Sequence, residues 1–223
     1  MVSAVIPFNM DYFTREYSIE SNKNFDFASY MTIEIFPTLI AKLLKINEIN
    51  RIDFFTDLNF PISILDRHPK IQSIDSSGMS LLSIEQLLAE YIMRKPTKFL
   101  LVVNPMFPFV QGSTIQQIIE SVVLDGYDSS ALGKKGTSLW LNGSPVQNTS
   151  DTNTKSLKAQ ECVVDLGACY CLNTNYFNPN ANRLSKKATF FDAGNIEGIN
   201  LRDVNDLAVV VLFFSVGLGG GTF

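Results

Sequence analysis

The fold is decided by the stretch Lys98-Phe-Leu-Leu-Val-Val-Asn-Pro-Met-Phe-Pro-Phe-Val-Gln111. Its residues 99–103 are all apolar, which is typical of a strand buried on both faces of a sheet. Asn104 follows at once, and Pro105 and Pro108 then keep the strand from continuing. In open α/β sheets, ligands bind just beyond the carboxyl ends of such strands. The stretch therefore predicts an α/β sheet and makes Asn104 a candidate ligand contact, with a turn-forming role as the alternative.

Helical patterns lie on both sides of this strand. Apolar residues at helical spacing predict a helix over 30–46, in which Pro37 could produce a kink. Ser83 and Gln86 form a capping-box pattern at the start of a second helix. A third helix is expected to begin at Ser113 or Thr114, and a last one spans 203–214.

The strand patterns alternate with these helices through the first 130 residues. This order predicts a three-layer α/β sandwich around a mostly parallel, Rossmann-like sheet. We expect residues 58–79 to be irregular or partly helical. The other strands are expected at 4–6, 51–56, 129–132, 162–172 and 188–191.

Composition sets limits on the domain count and on the partners. A length of 223 residues suits one domain, residues 1–223. The net charge is −4 with no run of basic residues, so nucleic acid is not an expected partner. The apolar run 207–214 is too short to cross a membrane, and no secretory signal is recognised at the start. Three cysteines fit a reducing compartment, so a cytoplasmic location is expected.

The composition changes at residues 133–161, which are rich in Gly, Asn, Ser and Thr. A hairpin is expected around residues 138–141, followed by a loop. We therefore predict a small arm, residues 136–161, that protrudes from the domain.

Four segments, in the right order, resemble the cytidylyltransferases that activate acylneuraminate and 3-deoxy-manno-octulosonate. Leu100-Leu-Val-Val-Asn-Pro-Met-Phe-Pro-Phe109 is similar to the family's "lLQPTSPLR", and Asn50-Arg-Ile-Asp-Phe-Phe-Thr-Asp57 to its "idrvvvSTDd". Asp165-Leu-Gly-Ala-Cys-Tyr170 is similar to "eNGAiY", and Gly198-Ile-Asn-Leu-Arg-Asp-Val-Asn-Asp-Leu207 to "siDIDteeDl". The resemblance implies a GT-A-like nucleotidyltransferase fold, CTP and a sugar acid as substrates, Mg²⁺ as cofactor and a homodimer formed through the arm.

The chain departs from the family at the residues that handle phosphate. No glycine occurs between Pro7 and Gly78, whereas the family has a glycine-rich loop after its first strand. Arg15 is the candidate phosphate ligand in this segment. The family's two metal-binding aspartates fall on Asn200 and Arg202, and neither residue suits Mg²⁺.

Asp57, Arg202 and Asp203 are the remaining candidates for contact with a ligand or a metal ion. Asp57 ends a strand at the carboxyl edge and is either a ligand or metal contact or a cap. Arg202 either binds an anion in place of the metal or forms a surface ion pair. Asp203 lies one residue from the family's metal position and could hold Mg²⁺ only if the loop shifts.

Three functions remain open from the sequence. The first is a degenerate cytidylyltransferase-like protein that binds a nucleotide or sugar acid, or acts as a non-catalytic oligomeric module. The second is an active enzyme that transfers CMP from CTP to an acidic keto-sugar and releases pyrophosphate. The third is an unrelated α/β protein.

Overall fold

The computed structural model describes residues 1–8, 30–56, 68–76, 79, 83–136, 140–141, 144–145, 162–180, 183–185, 187–201 and 203–215. The strands among them are, in chain order, β1 (Val2–Phe8), β2 (Ile49–Thr56), β3 (Ile71–Asp75), β4 (Phe99–Val103), β5 (Ser129–Gly136), β6 (Trp140–Leu141), β7 (Ser144–Pro145), β8 (Cys162–Asn173) and β9 (Ala188–Asp192). The helices are α1 (Phe36–Leu44), α2 (Ile84–Arg94), α3 (Gly112–Val123) and α4 (Val204–Ser215). A π-helical turn, Met31–Ile35, leads into α1, and a 3-10 turn, Thr174–Tyr176, follows β8.

The described strands form one mixed sheet in the order β3-β2-β1-β4-β8-β5-β9, with β6 and β7 pairing apart from it. Neighbouring strands are parallel except that β8 runs antiparallel to both β4 and β5. The predicted α/β fold with a mostly parallel sheet is confirmed. The predicted hairpin is also present, because Trp140 pairs with Pro145 and Leu141 with Ser144.

Successive residues of β4 point to opposite faces of the sheet, as the pleat requires. Leu101 and Val103 belong to the core that includes apolar residues of α1, α3 and α4. Leu100 and Val102 belong to a second core beneath α2. The strand at residues 99–103 is therefore buried on both faces, as its apolar sequence predicts, because it lies inside a three-layer sandwich.

The expectation for residues 58–79 is wrong in part. Ile71–Asp75 forms β3, which runs parallel to β2 from Ile52–Ile71 to Thr56–Asp75. Ile74 is its one buried residue, because β3 is at the edge of the sheet and packs weakly. A strand with so little burial has no apolar run that would reveal it.

Two prolines are accommodated without breaking their elements. Pro37 lies in the first turn of α1, where a missing N–H is tolerated. The turn before it is wide, because the Phe36 N–H donates to the Met31 carbonyl. Pro7 lies inside β1, but β4 pairs with residues 3–5 only, so β4 needs no donor from Pro7.

A charged cluster lies beneath α2, on β2. The Asp53 side chain is fully buried and accepts a hydrogen bond from the Tyr91 hydroxyl at 2.6 Å. Arg51 Nε lies 2.8 Å from Asp53 Oδ2, and Arg51 Nη2 donates to the Tyr91 oxygen at 3.2 Å. Burial raises the pKa of Asp53, against the opposing effects of Tyr91 and Arg51. This cluster is in the middle of the sheet and is separate from the carboxyl edge.

Candidate functional site at the carboxyl edge of the sheet

The carboxyl ends of β1, β2 and β4 lie side by side at one edge of the sheet. Phe8, at the end of β1, pairs with Thr56 at the end of β2, and β1 pairs with β4 on its other side. Asn104 follows β4 at this edge. Ligands of open α/β sheets bind beyond such strand ends, so this edge is the candidate site.

Asn104 fixes the turn after β4 with all of its polar groups. Its backbone N–H donates to the Ala168 carbonyl at 2.8 Å and its Nδ2 to the Gly167 carbonyl at 3.2 Å. Its Oδ1 accepts from the Met106 N–H at 3.0 Å, and its carbonyl accepts from the Phe107 N–H at 3.1 Å. The turn-forming role is therefore present, and the side chain also ties β4 to β8.

The connection between β9 and α4 lies against the same turn. The Leu201 N–H donates to the Met106 carbonyl at 2.9 Å. Asp203, the predicted metal ligand, precedes the first residue of α4. Its Oδ1 accepts from the Asn205 N–H at 2.7 Å and, more weakly, from the Asp206 N–H at 3.5 Å. Asp203 thus caps the helix, which is the usual role of an aspartate at this position.

Glu197 holds two backbone segments together from a buried position. Its Oε1 accepts from the Gln111 N–H at 3.0 Å, just before α3 begins. Its Oε2 accepts from the Gly194 N–H at 3.1 Å, just after β9 ends. A carboxylate that receives two backbone donors is well satisfied, so its burial is tolerated.

Lys42 holds the same turn, 104–111, from α1. From the end of α1, its ammonium donates to the Pro108 carbonyl at 2.9 Å and to the Val110 carbonyl at 3.0 Å. Burial lowers the pKa of Lys42, and the nearby charge of Glu197 opposes that shift. Residues 104–111 are therefore fastened by both a lysine and a glutamate.

A second polar cluster lies on β8 beside Asn104. Gly167 has φ +65°, a left-handed conformation that side chains disfavour, and its N–H donates to Asp165 Oδ1 at 2.8 Å. Asp165 Oδ2 pairs with Arg183 Nη2 at 2.5 Å, and the Arg183 guanidinium lies 5.2 Å from the centre of the Tyr170 ring. The Tyr170 hydroxyl and Arg183 Nε are buried and have no hydrogen-bond partner among the described residues.

The carboxylates of residues 197–206 do not suit Mg²⁺, which is usually bound by one or two carboxylates that face the phosphates of the substrate. Asp203 and Glu197 accept from backbone N–H groups, and Asp206 Oδ2 accepts from the Asn200 N–H at 2.9 Å. Asn200, at the family's metal position, is a neutral carboxamide. Within the described parts of the chain, no three His, Cys, Asp or Glu side chains are grouped so that they could hold a metal ion.

The structure brings two of the five predicted site residues to one region. Asn104 and Asp203 are linked through the hydrogen bond between residues 106 and 201. Asp57, Arg15 and Arg202 lie outside the described residues. Their assignment as contacts for a substrate remains a prediction.

Sequence reasoning missed four charged residues of this edge, namely Lys42, Glu197, Asp165 and Arg183. Asp165 had a recognisable signal, because Asp two residues before Gly167 is a common turn pattern. The other three had none, because Lys42 and Glu197 bind backbone groups of residues 108–111 and Arg183 pairs with a residue of another element.

Comparisons with known proteins identify the fold. No protein-family model and no curated protein matches the sequence. Solved structures match over almost the whole chain. Separately, no helix within the described residues is long and apolar enough to cross a membrane.

Three of these structures illustrate the likeness. The 4-diphosphocytidyl-2C-methyl-D-erythritol synthase from Anaerococcus prevotii has a TM-score of 0.61 and 10% identity, covering 96% of each chain. A CMP:2-keto-3-deoxy-manno-octonic acid synthetase complexed with CTP has a TM-score of 0.61 and 10% identity, covering 97% of this chain and 99% of that one. HddC from Yersinia pseudotuberculosis has a TM-score of 0.58 and 13% identity, covering 96% and 100%. With the sheet order and the carboxyl edge described above, these matches establish that the chain has the α/β fold of the nucleotidyltransferases, as its resemblance to the cytidylyltransferases implies.

Proposed function

We propose that this chain uses the nucleotidyltransferase fold to bind a nucleotide or a sugar acid without transferring a nucleotidyl group. One observation carries the proposal. The carboxylates of the connection between β9 and α4 are hydrogen-bonded to backbone N–H groups in caps and turns.

The cap position stabilises a carboxylate. Free N–H groups at the start of a helix favour a negative charge, and replacing an aspartate cap typically costs about 1 kcal/mol of stability. A metal ion bound by one of these carboxylates would draw it away from its N–H donors. The arrangement therefore favours a scaffold that has kept its shape and given up metal-dependent chemistry.

The fold supports binding at the carboxyl edge. One of the similar structures is a synthetase complexed with CTP, and it covers nearly the same length as this chain. The turn 104–111 is held rigidly at the end of β4, where Asn104 is partly exposed and residues 105–110 are buried. Rigid surfaces bind small molecules at a lower entropic cost than mobile ones.

The second candidate function is CMP transfer from CTP to an acidic keto-sugar with release of pyrophosphate. The exposed position of Asp203 in the turn nearest the family's metal position favours it. We also propose, from the resemblance, that the chain forms a homodimer through the arm. Its free buried cysteines, Cys169 and Cys171, support a cytoplasmic location.

A thermal-shift titration with CTP, CMP and acidic keto-sugars, each with and without Mg²⁺, tests the main proposal. We expect a rise in Tm with CMP or CTP that is the same with Mg²⁺ and with a chelator. The same samples are assayed for pyrophosphate. Sustained pyrophosphate release that requires Mg²⁺ would establish the second candidate instead, and the lack of a shift with any of these compounds would refute binding.

A further inference from the structure

Arg183 and Asn104 meet at the same glycine of β8. The Asn104 side chain donates to the Gly167 carbonyl at 3.2 Å. On the other side, Arg183 Nη2 lies 3.2 Å from the point that a Cβ on Gly167 would occupy. The guanidinium is therefore next to the turn that ends β4, at the carboxyl edge of the sheet.

The guanidinium is held in place by two neighbours. Asp165 pairs with Nη2, and the Tyr170 ring lies beneath the group at 5.2 Å. An arginine fixed in this way loses little conformational freedom when it binds a further group. Its planar set of donors also matches the two oxygens of a carboxylate or phosphate.

Hydrogen-bond donors remain at this position. A guanidinium has five N–H donors, and of the Arg183 nitrogens only Nη2 donates to an acceptor among the described residues, the Asp165 carboxylate. Nε is without an acceptor, and so is the hydroxyl of Tyr170, a residue that is only 2% exposed. Unpaired polar atoms in a buried position are rare, and they often mark a place for a further partner.

The other cation of this region is already committed. The ammonium of Lys42 donates to the carbonyls of Pro108 and Val110, which leaves it a structural role in the 104–111 turn. Arg183, with 21% of its side chain exposed, is accessible and only partly used.

From these contacts we infer that Arg183 receives the oxyanion group, a phosphate or a carboxylate, of the ligand that binds at the carboxyl edge. This inference rests on the proposed function and adds to it the chemical group that the site recognises. Asp165 orients the guanidinium and partly balances its charge, and Asn104 contacts the same glycine, Gly167, from the end of β4.

Four probes separate the two sources of an oxyanion. CMP is compared with cytidine, and N-acetylneuraminic acid with its methyl ester, by calorimetric titration of the full chain. We expect one acid to bind about tenfold or more tightly than its neutral counterpart, in keeping with a charge-assisted hydrogen bond. The pair that shows the preference identifies the oxyanion as a phosphate or a carboxylate.

The variant Arg183→Gln should remove this preference, so that the acid and its neutral counterpart bind with similar affinity. Arg94→Gln is the matched control, because Arg94 forms an exposed ion pair with Glu90 on α2. Asp165→Asn keeps Arg183 and removes the competing charge, so it should strengthen the preference for the acid. This second variant also serves as the test if Arg183→Gln does not fold.

The outcomes distinguish the inference from the function on which it rests. A wild-type protein that binds none of the four compounds refutes both. Two results would overturn the role of Arg183 without refuting binding at the carboxyl edge. One is equal affinity for the acid and its neutral counterpart, and the other is a preference that survives in Arg183→Gln. A preference that Asp165→Asn leaves unaltered also contradicts the inference.

Discussion

The hydroxyl of Tyr91 on α2 donates a 2.6 Å hydrogen bond to the buried carboxylate of Asp53 on β2. This bond crosses from the helix layer to the sheet in the middle of the second core. Arg51 contacts both groups, but the other carboxylate oxygen, Oδ1, is buried without a hydrogen-bond partner. Removing the Tyr91 hydroxyl would take away one of the hydrogen-bond donors to the Asp53 carboxylate.

We therefore predict that Tyr91→Phe lowers the free energy of unfolding at pH 7 by about 1–3 kcal/mol. The hydrogen bond from Tyr91 lowers the pKa of Asp53, while burial raises it. Without the Tyr91 hydroxyl, the pKa of Asp53 should rise further. The variant should therefore lose the most stability at a pH where Asp53 is ionised. The loss should shrink as the pH falls and Asp53 becomes protonated in the native forms of both the wild type and the variant. Urea unfolding at pH 4.5 and 7 measures it, and an equal loss at both would contradict this account.

The cap assigned to Asp203 can be separated from a metal-binding role. Asp203→Ala should lower stability by about 1 kcal/mol, whereas Asp203→Asn should stay close to wild type because Asn is an equally good cap. Neither variant should change the response of Tm to Mg²⁺. If Asp203→Asn instead abolishes a Mg²⁺-dependent shift that the wild type shows, Asp203 is a metal ligand.

Gly167 and Gly126 offer a matched pair of substitutions. Both have positive φ, at +65° and +73°, so alanine is strained at either position by about 1–2 kcal/mol. A Cβ at Gly126 meets nothing within 4 Å, whereas at Gly167 it lies 3.2 Å from Arg183 Nη2. Gly167→Ala should therefore be the more destabilising of the two in chemical denaturation. Equal losses would mean that Arg183 moves aside freely and is not held by Asp165.

Alkaline pH should destabilise the protein through β8. Burial raises the pKa of Cys171 to about 12 and raises the pKa values of Cys169 and Tyr170 as well. Unfolded thiols lose their protons near pH 8.5, while the native thiols keep theirs. Stability is thus fully present below about pH 8.5 and declines above it, by about 1.4 kcal/mol per pH unit for each thiol.

Urea unfolding between pH 7.5 and 10 measures this slope. The double variant Cys169→Ala with Cys171→Ala should be less stable at pH 7.5 but should show a shallower decline. A slope identical to that of the wild type would assign the alkaline loss to other groups.

The arm can be removed at a defined point. Gly136 of β5 pairs directly with Cys162 of β8, so an Asn-Gly turn in place of residues 137–161 would close a regular hairpin. We expect the shortened protein to fold and, if the arm forms the homodimer interface, to become a monomer by light scattering. A shortened protein with the mass of the full-length assembly would place the interface elsewhere.

The parts of the fold that were predictable are those in which one local pattern reports burial or capping. The run 99–103 revealed β4 because both of its faces are covered, and Ser83 with Gln86 marked the start of α2 with a capping box that is present. The edge strand β3 was missed because Ile74 is its one buried residue. The last helix, predicted over 203–214, is α4 (Val204–Ser215), and Leu212 on it is 64% exposed.

The candidate site was less predictable for a physical reason. Asn104 was identifiable because a strand and two prolines frame it. Arg183 and Glu197 depend on where loops place them, and their partners are remote in sequence or are backbone groups. A hydrogen bond to a distant N–H group leaves no pattern of apolar and polar residues in the sequence. Such pairs are therefore visible only in the folded chain.

The place of β8 in the sheet has a consequence for biosynthesis. β8 separates β4 from β5, although β4 and β5 follow one another in the chain with α3 between them. On the ribosome, the β3-β2-β1-β4 half can assemble as soon as Val103 has emerged, but the far edge of β4 stays unpaired until Cys162–Asn173 arrives. At synthesis rates of about 5–20 residues per second, this apolar edge is open to other nascent chains for several seconds. Slow translation across residues 104–161 should therefore favour aggregation, and chaperones that cover exposed strands should raise the yield.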